Sequence, residues 1–251
     1  LTDIPIGKIE DLRGEKMGNK DKVAFVSGAN RGIGFGMTLE LARKGCKVIA
    51  GYRNENKSQE LFAEANKDSN VLPVKVDVTI EVDLKHLYEF IKNRFGHLDI
   101  LINNAGVNIN EPAQVNELVW DDFVKSLMVN LGGPFLTSKY LFPLLLKGRE
   151  KKVVNISSQM GSIQLSGGGA TPYRVSKAAL NMLTKNQAIE YKRKGIAVVC
   201  VHPGWVRTDM GGQAAPMTVA ESAKRIFQII EMVSLSNTGA FISFNGDTIP
   251  Y

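Results

Sequence analysis

The chain has 251 residues, 44% of them hydrophobic, enough for one α/β domain with a sizeable core. Its 31 basic and 25 acidic residues leave a net charge of +6 scattered along the sequence, a poor match to a nucleic-acid binder and compatible with an anionic small-molecule ligand. No apolar run reaches the roughly 18 residues that a membrane-spanning helix needs.

Residues 1–20 read as an N-terminal extension to a single domain over 21–251. They lack the apolar segment of a secretory signal, so the extension is a tail, a targeting remnant or a leader, with Met17 as an alternative start. From residue 23 onward, short β-branched runs alternate with helical-period stretches, the pattern of βαβ units that build a parallel sheet. The strands read "KVAFVSG", "KVIAGYR", "VLPVKVDV", "DILINNAG", "KKVVNISS", "IAVVCVHPG" and "GAFISFNG". Helices are expected near 33–44, 55–66, 81–95, 117–146, 173–194 and 218–232. The fold class is therefore α/β, a doubly wound Rossmann-type parallel sheet of seven strands. Pro134 predicts a kink, or a junction of two helices, inside 117–146. Cys46 and Cys200 adjoin apolar runs, as buried thiols do in a reducing, cytoplasmic compartment. His86, His97 and His202 show no metal-ligand spacing and read as structural or solvated.

The first strand runs into "SGANRGIG", with glycines at 28, 32 and 34, and then into a helix. Such a turn lets a pyrophosphate approach the main chain at a helix N-terminus, where free N–H groups and partial positive charge await it. At the end of the second strand Tyr52 occupies the place where NAD-binding proteins carry an acid, and Arg53 follows it. With Arg31 in the glycine turn, two guanidiniums can flank a ribose 2′-phosphate, which favours NADP(H) over NAD(H). Further on, Tyr173 and Lys177 lie four apart on one predicted helical face. A free phenol titrates near pH 10, but an ammonium about 5 Å away at an effective dielectric of about 20 favours phenolate by roughly 3 kcal/mol.

The glycine spacing, "NNAG" at 103–106, Asn130, "NISS" at 155–158, the Tyr-x-x-x-Lys pair and "PGWVRT" at 203–208 together resemble the short-chain dehydrogenase/reductase family. "YRVSKAALNM", "PGWVRTDMGG" and "GAFISFNGD" are most similar to its carbonyl-reductase side, near C-factor-like and sniffer-like members. The resemblance implies an NADPH-dependent reduction of a small-molecule ketone, aldehyde or quinone, with 3-oxoacyl thioester reduction or a non-catalytic NADP-binding regulator as alternatives. It implies Tyr173 as proton donor, Lys177 as ribose ligand and modulator of the phenol, and Ser158 as hydrogen-bond donor to the substrate oxygen. It also implies Asn130 as holder of a water that links Lys177 to solvent. Strand alternation makes Ser157 the rival of Ser158, because only one of them faces the cleft.

Cofactor contact is implied for Gly28, Asn30, Arg31, Gly32, Ile33, Gly34, Arg53, Asp77, Val78, Asn104, Ala105, Gly106, Tyr173, Lys177, Pro203, Gly204, Val206 and Thr208. Asn103 is expected both to line the adenosine side and to brace the sheet. The 15-residue interval from Ser158 to Tyr173 is longer than usual for the family, and the loop "QMGSIQLSGGGATP" is expected to absorb the extra length while reshaping the substrate pocket. Residues 205–218 read as a lid, with Trp205 and Met210 as its apolar cover. Relatives are monomers or pair through the two long helices, so a monomer or a homo-oligomer is expected.

Overall fold

The computed structural model describes residues 22–109 and 114–251, so the N-terminal extension lies outside the described residues. Seven strands, β1 (Val23–Val26), β2 (Lys47–Tyr52), β3 (Val71–Lys75), β4 (Ile100–Asn103), β5 (Lys152–Ile156), β6 (Ala197–His202) and β7 (Phe241–Ser243), form one sheet in the order β3-β2-β1-β4-β5-β6-β7. Every pairing is parallel. The order reverses between β1 and β4, and the carboxyl ends of the strands on either side of that switch open a crevice for ligands.

Strand alternation divides the core into two layers. Ala24 and Val26 of β1 and Val199 and Val201 of β6 pack with α1 (Gly32–Arg43) and α7 (Val219–Met232) through Met37, Leu41, Ile226 and Ile230. Val23, Phe25, Val153 and Val198 face the other way, onto α3 (Glu81–Arg94), α5 (Gly133–Leu145) and α6 (Thr171–Lys192). Each fully buried Leu, Ile or Phe in these layers contributes about 1.5–3 kcal/mol. Pro73 sits in β3, which among the described residues is an edge strand paired only with β2, where a missing N–H is tolerated.

The helix expected over 55–66 is broken. Asn54 caps a 3₁₀ turn at Glu55–Lys57, and α2 (Gln59–Ala65) begins only after Ser58, whose hydroxyl donates to the Asn54 carbonyl. These local side-chain bonds compete with the helical ladder. The long stretch 117–146 also divides. α4 (Trp120–Leu127) passes through one π turn, Met128–Gly132, into α5, with the Gly133 N–H donating to the Met128 carbonyl five residues back. Pro134 stands in the first turn of α5, where it breaks no ladder of its own helix but gives the Asn130 carbonyl no donor.

Candidate active site

A cleft of about 960 Å³ runs along the carboxyl ends of the strands. All eighteen residues nominated for cofactor contact line it, together with Ser158. At one end the glycine turn is closely fitted. Gly28 has φ +63 and Gly32 has φ +54, both in the left-handed region, and a Cβ on Gly28 would stand 3.0 Å from the Ala105 Cα. A Cβ on Gly34 would overlap the Gly28 carbonyl and the Asn104 side chain. Ser27 ties this turn to β4 by accepting from the Asn104 and Ala105 N–H groups at 2.9 and 3.0 Å, while the Asn104 amide returns bonds to the Ser27 and Gly28 carbonyls at 2.9 and 3.1 Å. Beyond the turn, α1 starts with no side-chain cap and no acid in its first turn. Its N-terminal N–H groups therefore suit an anion, and the bare cradle fits a dinucleotide pyrophosphate.

At the adenosine end Tyr52 does sit at the end of β2, edge-on to Phe62 at 5.1 Å, with no carboxylate in its place. Each arginine nominated for a 2′-phosphate already faces an acid. Arg53 lies 3.7 Å from Asp77, and Arg31 is paired with Asp209. Asp77 also accepts from the Thr79 N–H and hydroxyl at 3.0 and 2.7 Å, which fixes its carboxylate at the cleft wall. Asn103 is a correction to the sequence reading, because its side chain does not line the cleft. It is buried between β5 and α5, donating to Asn155 at 2.8 Å and accepting from Thr137 at 2.6 Å, so it braces the sheet and leaves the lining to Asn104.

At the other end, α6 starts at Thr171, two residues before Tyr173, with Pro172 in its first turn. Tyr173 and Lys177 share one face, with Nζ 5.6 Å from the centre of the phenol ring. Lys177 is buried, its Nζ donating to the Ile156 carbonyl at 2.8 Å, and burial pulls its pKa down to about 8. It is therefore still cationic at neutral pH but loses charge in the mildly alkaline range. Ser157 donates to Asn181 at 2.6 Å and is committed to the interior. The Ser158 oxygen accepts from the Met160 N–H at 3.2 Å, and among the described residues its own proton meets no acceptor, which leaves it for a ligand. The long interval before Tyr173 is absorbed by a 3₁₀ turn at Gln159–Gly161 and an exposed bulge, clasped by Arg174 through the Gly169 and Met160 carbonyls at 2.9 and 3.4 Å.

Asn130 lies behind this cluster rather than in the cleft wall. The side chain accepts from the Val107 N–H at 2.8 Å and donates to the Val107 carbonyl at 2.8 Å and to Ser176 at 2.9 Å. Ser176 in turn donates to the Tyr173 carbonyl at 2.7 Å, so Asn130 steadies the first turn of α6. Both amide hydrogens are thus committed to the protein, while among the described residues the amide oxygen takes the single Val107 N–H.

His202, expected from the sequence to be structural or solvated, stands in the cleft wall. Among the described residues its Nδ1 is buried without a partner, and burial lowers its pKa to about 4. The unfolded chain takes up a proton as pH falls below the ordinary histidine value near 6.5, whereas the folded chain resists until about 4. The unfolded state binds more protons across that window, so stability falls as pH drops from 6.5 towards 4. Thermal melts of His202→Gln should show a shallower decline there than melts of the unsubstituted chain. Among the described residues no His, Cys, Asp and Glu cluster is arranged for a metal, and no helix is long and apolar enough to cross a membrane.

The model of the short chain dehydrogenase family matches residues 22–218. The chain belongs to this family. Among solved structures, the carbonyl reductase Sniffer of D. melanogaster aligns at a TM-score of 0.87 and 29% identity, over 92% of this chain and 99% of that one. The NADPH-bound carbonyl reductase from chicken fatty liver aligns at 0.86 and 33% identity, over 92% and 100%. By sequence, the C-signal protein of Myxococcus xanthus is 33% identical over 157 residues, 62% of this chain and 94% of C-signal. The likeness therefore falls on the carbonyl-reductase side of this oxidoreductase family.

Proposed function

We propose that this protein is an NADPH-dependent carbonyl reductase of the reducing, cytoplasmic compartment. The observation that carries the reading is the joining, in one cleft, of a glycine cradle flanked by Arg31 and Arg53 with a proton-transfer end formed by Ser158, Tyr173 and Lys177. The carbonyl reductase neighbours, one of them NADPH-bound, support the same assignment. When bound, the cofactor supplies a hydride to a carbonyl carbon. The chain's residues handle the rest. Gly28, Gly32, Gly34 and the α1 N-terminus cradle the pyrophosphate, Arg31 and Arg53 take the 2′-phosphate, and Asp77 and Val78 line the adenine side. Pro203, Gly204, Val206 and Thr208 enclose the nicotinamide end.

Ser158 donates to the substrate oxygen, and the Tyr173 hydroxyl delivers its proton to that oxygen as negative charge develops there. Lys177 holds a positive charge beside the phenol and eases this transfer. The Asn130 backbone carbonyl, denied an α-helical donor by Pro134, anchors a water through which Lys177 exchanges protons with solvent. The assay is NADPH and NADH consumption with quinones, aldehydes, vicinal diketones and 3-oxoacyl thioesters. NADPH-dependent turnover of the simple carbonyls supports the reading, and turnover of the thioesters alone replaces it with thioester reduction.

We also propose a homodimer. Val175, Met182 and Ile189 are exposed at seven-residue spacing along α6, and Met128, in the π turn packed against α6, is exposed as well, as is Phe135 of α5. A matching stripe on a second copy buries them as a helical seam. Light scattering should find a dimer for the unsubstituted chain and a folded monomer for Met182→Glu.

A further inference from the structure

The two arginine–carboxylate pairs at the adenosine end differ in origin. Asp77 belongs to the adenosine wall itself, but Asp209 arrives from the segment after β6, 178 residues beyond Arg31 in sequence. That segment bonds to itself. The Trp205 indole N–H donates to the Gly211 carbonyl at 2.7 Å, the Gly211 N–H donates to the Thr208 hydroxyl at 3.1 Å, and the Gly212 N–H donates to the Thr208 carbonyl at 2.9 Å. It also lies directly on the glycine turn, since a Cβ on Gly32 would stand 3.2 Å from the Thr208 methyl. The Arg31–Asp209 pair thus straps a small, internally bonded loop across the cradle, and the same loop carries Trp205 and Met210 into the cleft lining.

On the reading that this cleft binds NADPH, we propose that Asp209 is a selectivity-determining residue whose carboxylate competes with the cofactor's 2′-phosphate for Arg31. A 2′-phosphate carries more charge than a carboxylate and presents three oxygens to the guanidinium fork, so it displaces Asp209. A cofactor without that phosphate leaves the pair intact. Release of Asp209 unfastens residues 205–212 from the glycine turn, which couples recognition at the adenosine ribose to the position of Trp205 and Met210. Both partners are largely exposed, with side-chain exposures of 56% and 76%, so the competition is worth a few-fold in affinity rather than orders of magnitude.

Two measurements on the full chain test this. Fluorescence titration should show Asp209→Asn binding NADPH about 3- to 5-fold more tightly, with NADH affinity unchanged. Hydrogen exchange of residues 205–212 should quicken when the unsubstituted chain is saturated with 2′,5′-ADP, which lacks the nicotinamide half, and not with 5′-ADP. In Asp209→Asn the exchange should be fast with either. Unaltered NADPH affinity in Asp209→Asn, an equal gain for NADH, or identical exchange with the two fragments overturns the proposal. The cofactor reading fails on a separate result. If the unsubstituted chain binds NADPH no better than NADH and Arg31→Gln weakens neither, the site does not recognise a 2′-phosphate at all.

Discussion

Tyr173→Phe should lower carbonyl turnover by about 10²- to 10⁴-fold, the usual contribution of a positioned proton donor, while NADPH affinity stays within about twofold. The substitution removes one oxygen and leaves the ring where it stands over Lys177, 5.6 Å from Nζ, so α6 keeps its packing. The two readouts separate chemistry from binding. Steady-state kinetics on any accepted carbonyl should show kcat falling with little change in KM, and cofactor titration should be nearly superimposable on that of the unsubstituted chain. If turnover persists at a tenth or more of its original value, the proton comes from elsewhere and Tyr173 is a wall of the pocket.

Gly34→Ala should have the largest effect on the cofactor end. The added methyl would overlap the Gly28 carbonyl, which is backbone in the middle of the turn, as well as the Asn104 side chain. Neither can withdraw cheaply, because Asn104 is tied to both Ser27 and Gly28 and the turn is tied to β4. The substitution should cost about 1–3 kcal/mol of stability by overpacking and weaken NADPH binding by at least about 100-fold. Denaturant unfolding and cofactor titration measure the two effects separately. An alanine variant with unaltered affinity would mean that the turn does not cradle the cofactor.

Much of this was legible because it rests on local physics. The seven strands followed from β-branched runs, and β1, β4 and β5 carry fully buried residues on both faces, as a sheet covered on both sides requires. Tyr173 and Lys177 meet because helical spacing alone puts them on one face. What was not legible depends on side chains competing for partners or on distant segments meeting. Ser58 and Asn54 divert a helix through bonds that compete with the helical ladder. Asn103 and Asn104 are neighbours of one type, yet one is drawn into the sheet by Asn155 and Thr137 and the other into the cradle by Ser27.

The break near Asn130 was legible from Pro134, but the Asn130 side-chain bonds to Val107 and Ser176 need contacts 23 and 46 residues away. The Arg31–Asp209 pair spans 178 residues and had no local signal. His202 had one, its place directly before Pro203–Gly204 at a strand's carboxyl end, where ligands bind in this kind of sheet.

The central claim is that this cleft moves a hydride from NADPH to a carbonyl carbon. The most direct measurement is a single turnover with stereospecifically deuterated NADPH and an accepted carbonyl, with the product analysed by mass spectrometry and NMR. Deuterium on the newly formed carbinol carbon, transferred from one face of the nicotinamide only, is the predicted result. Saturating NADPH binding with no deuterium in any carbonyl offered would contradict the claim and leave a chain that senses the cofactor without using it.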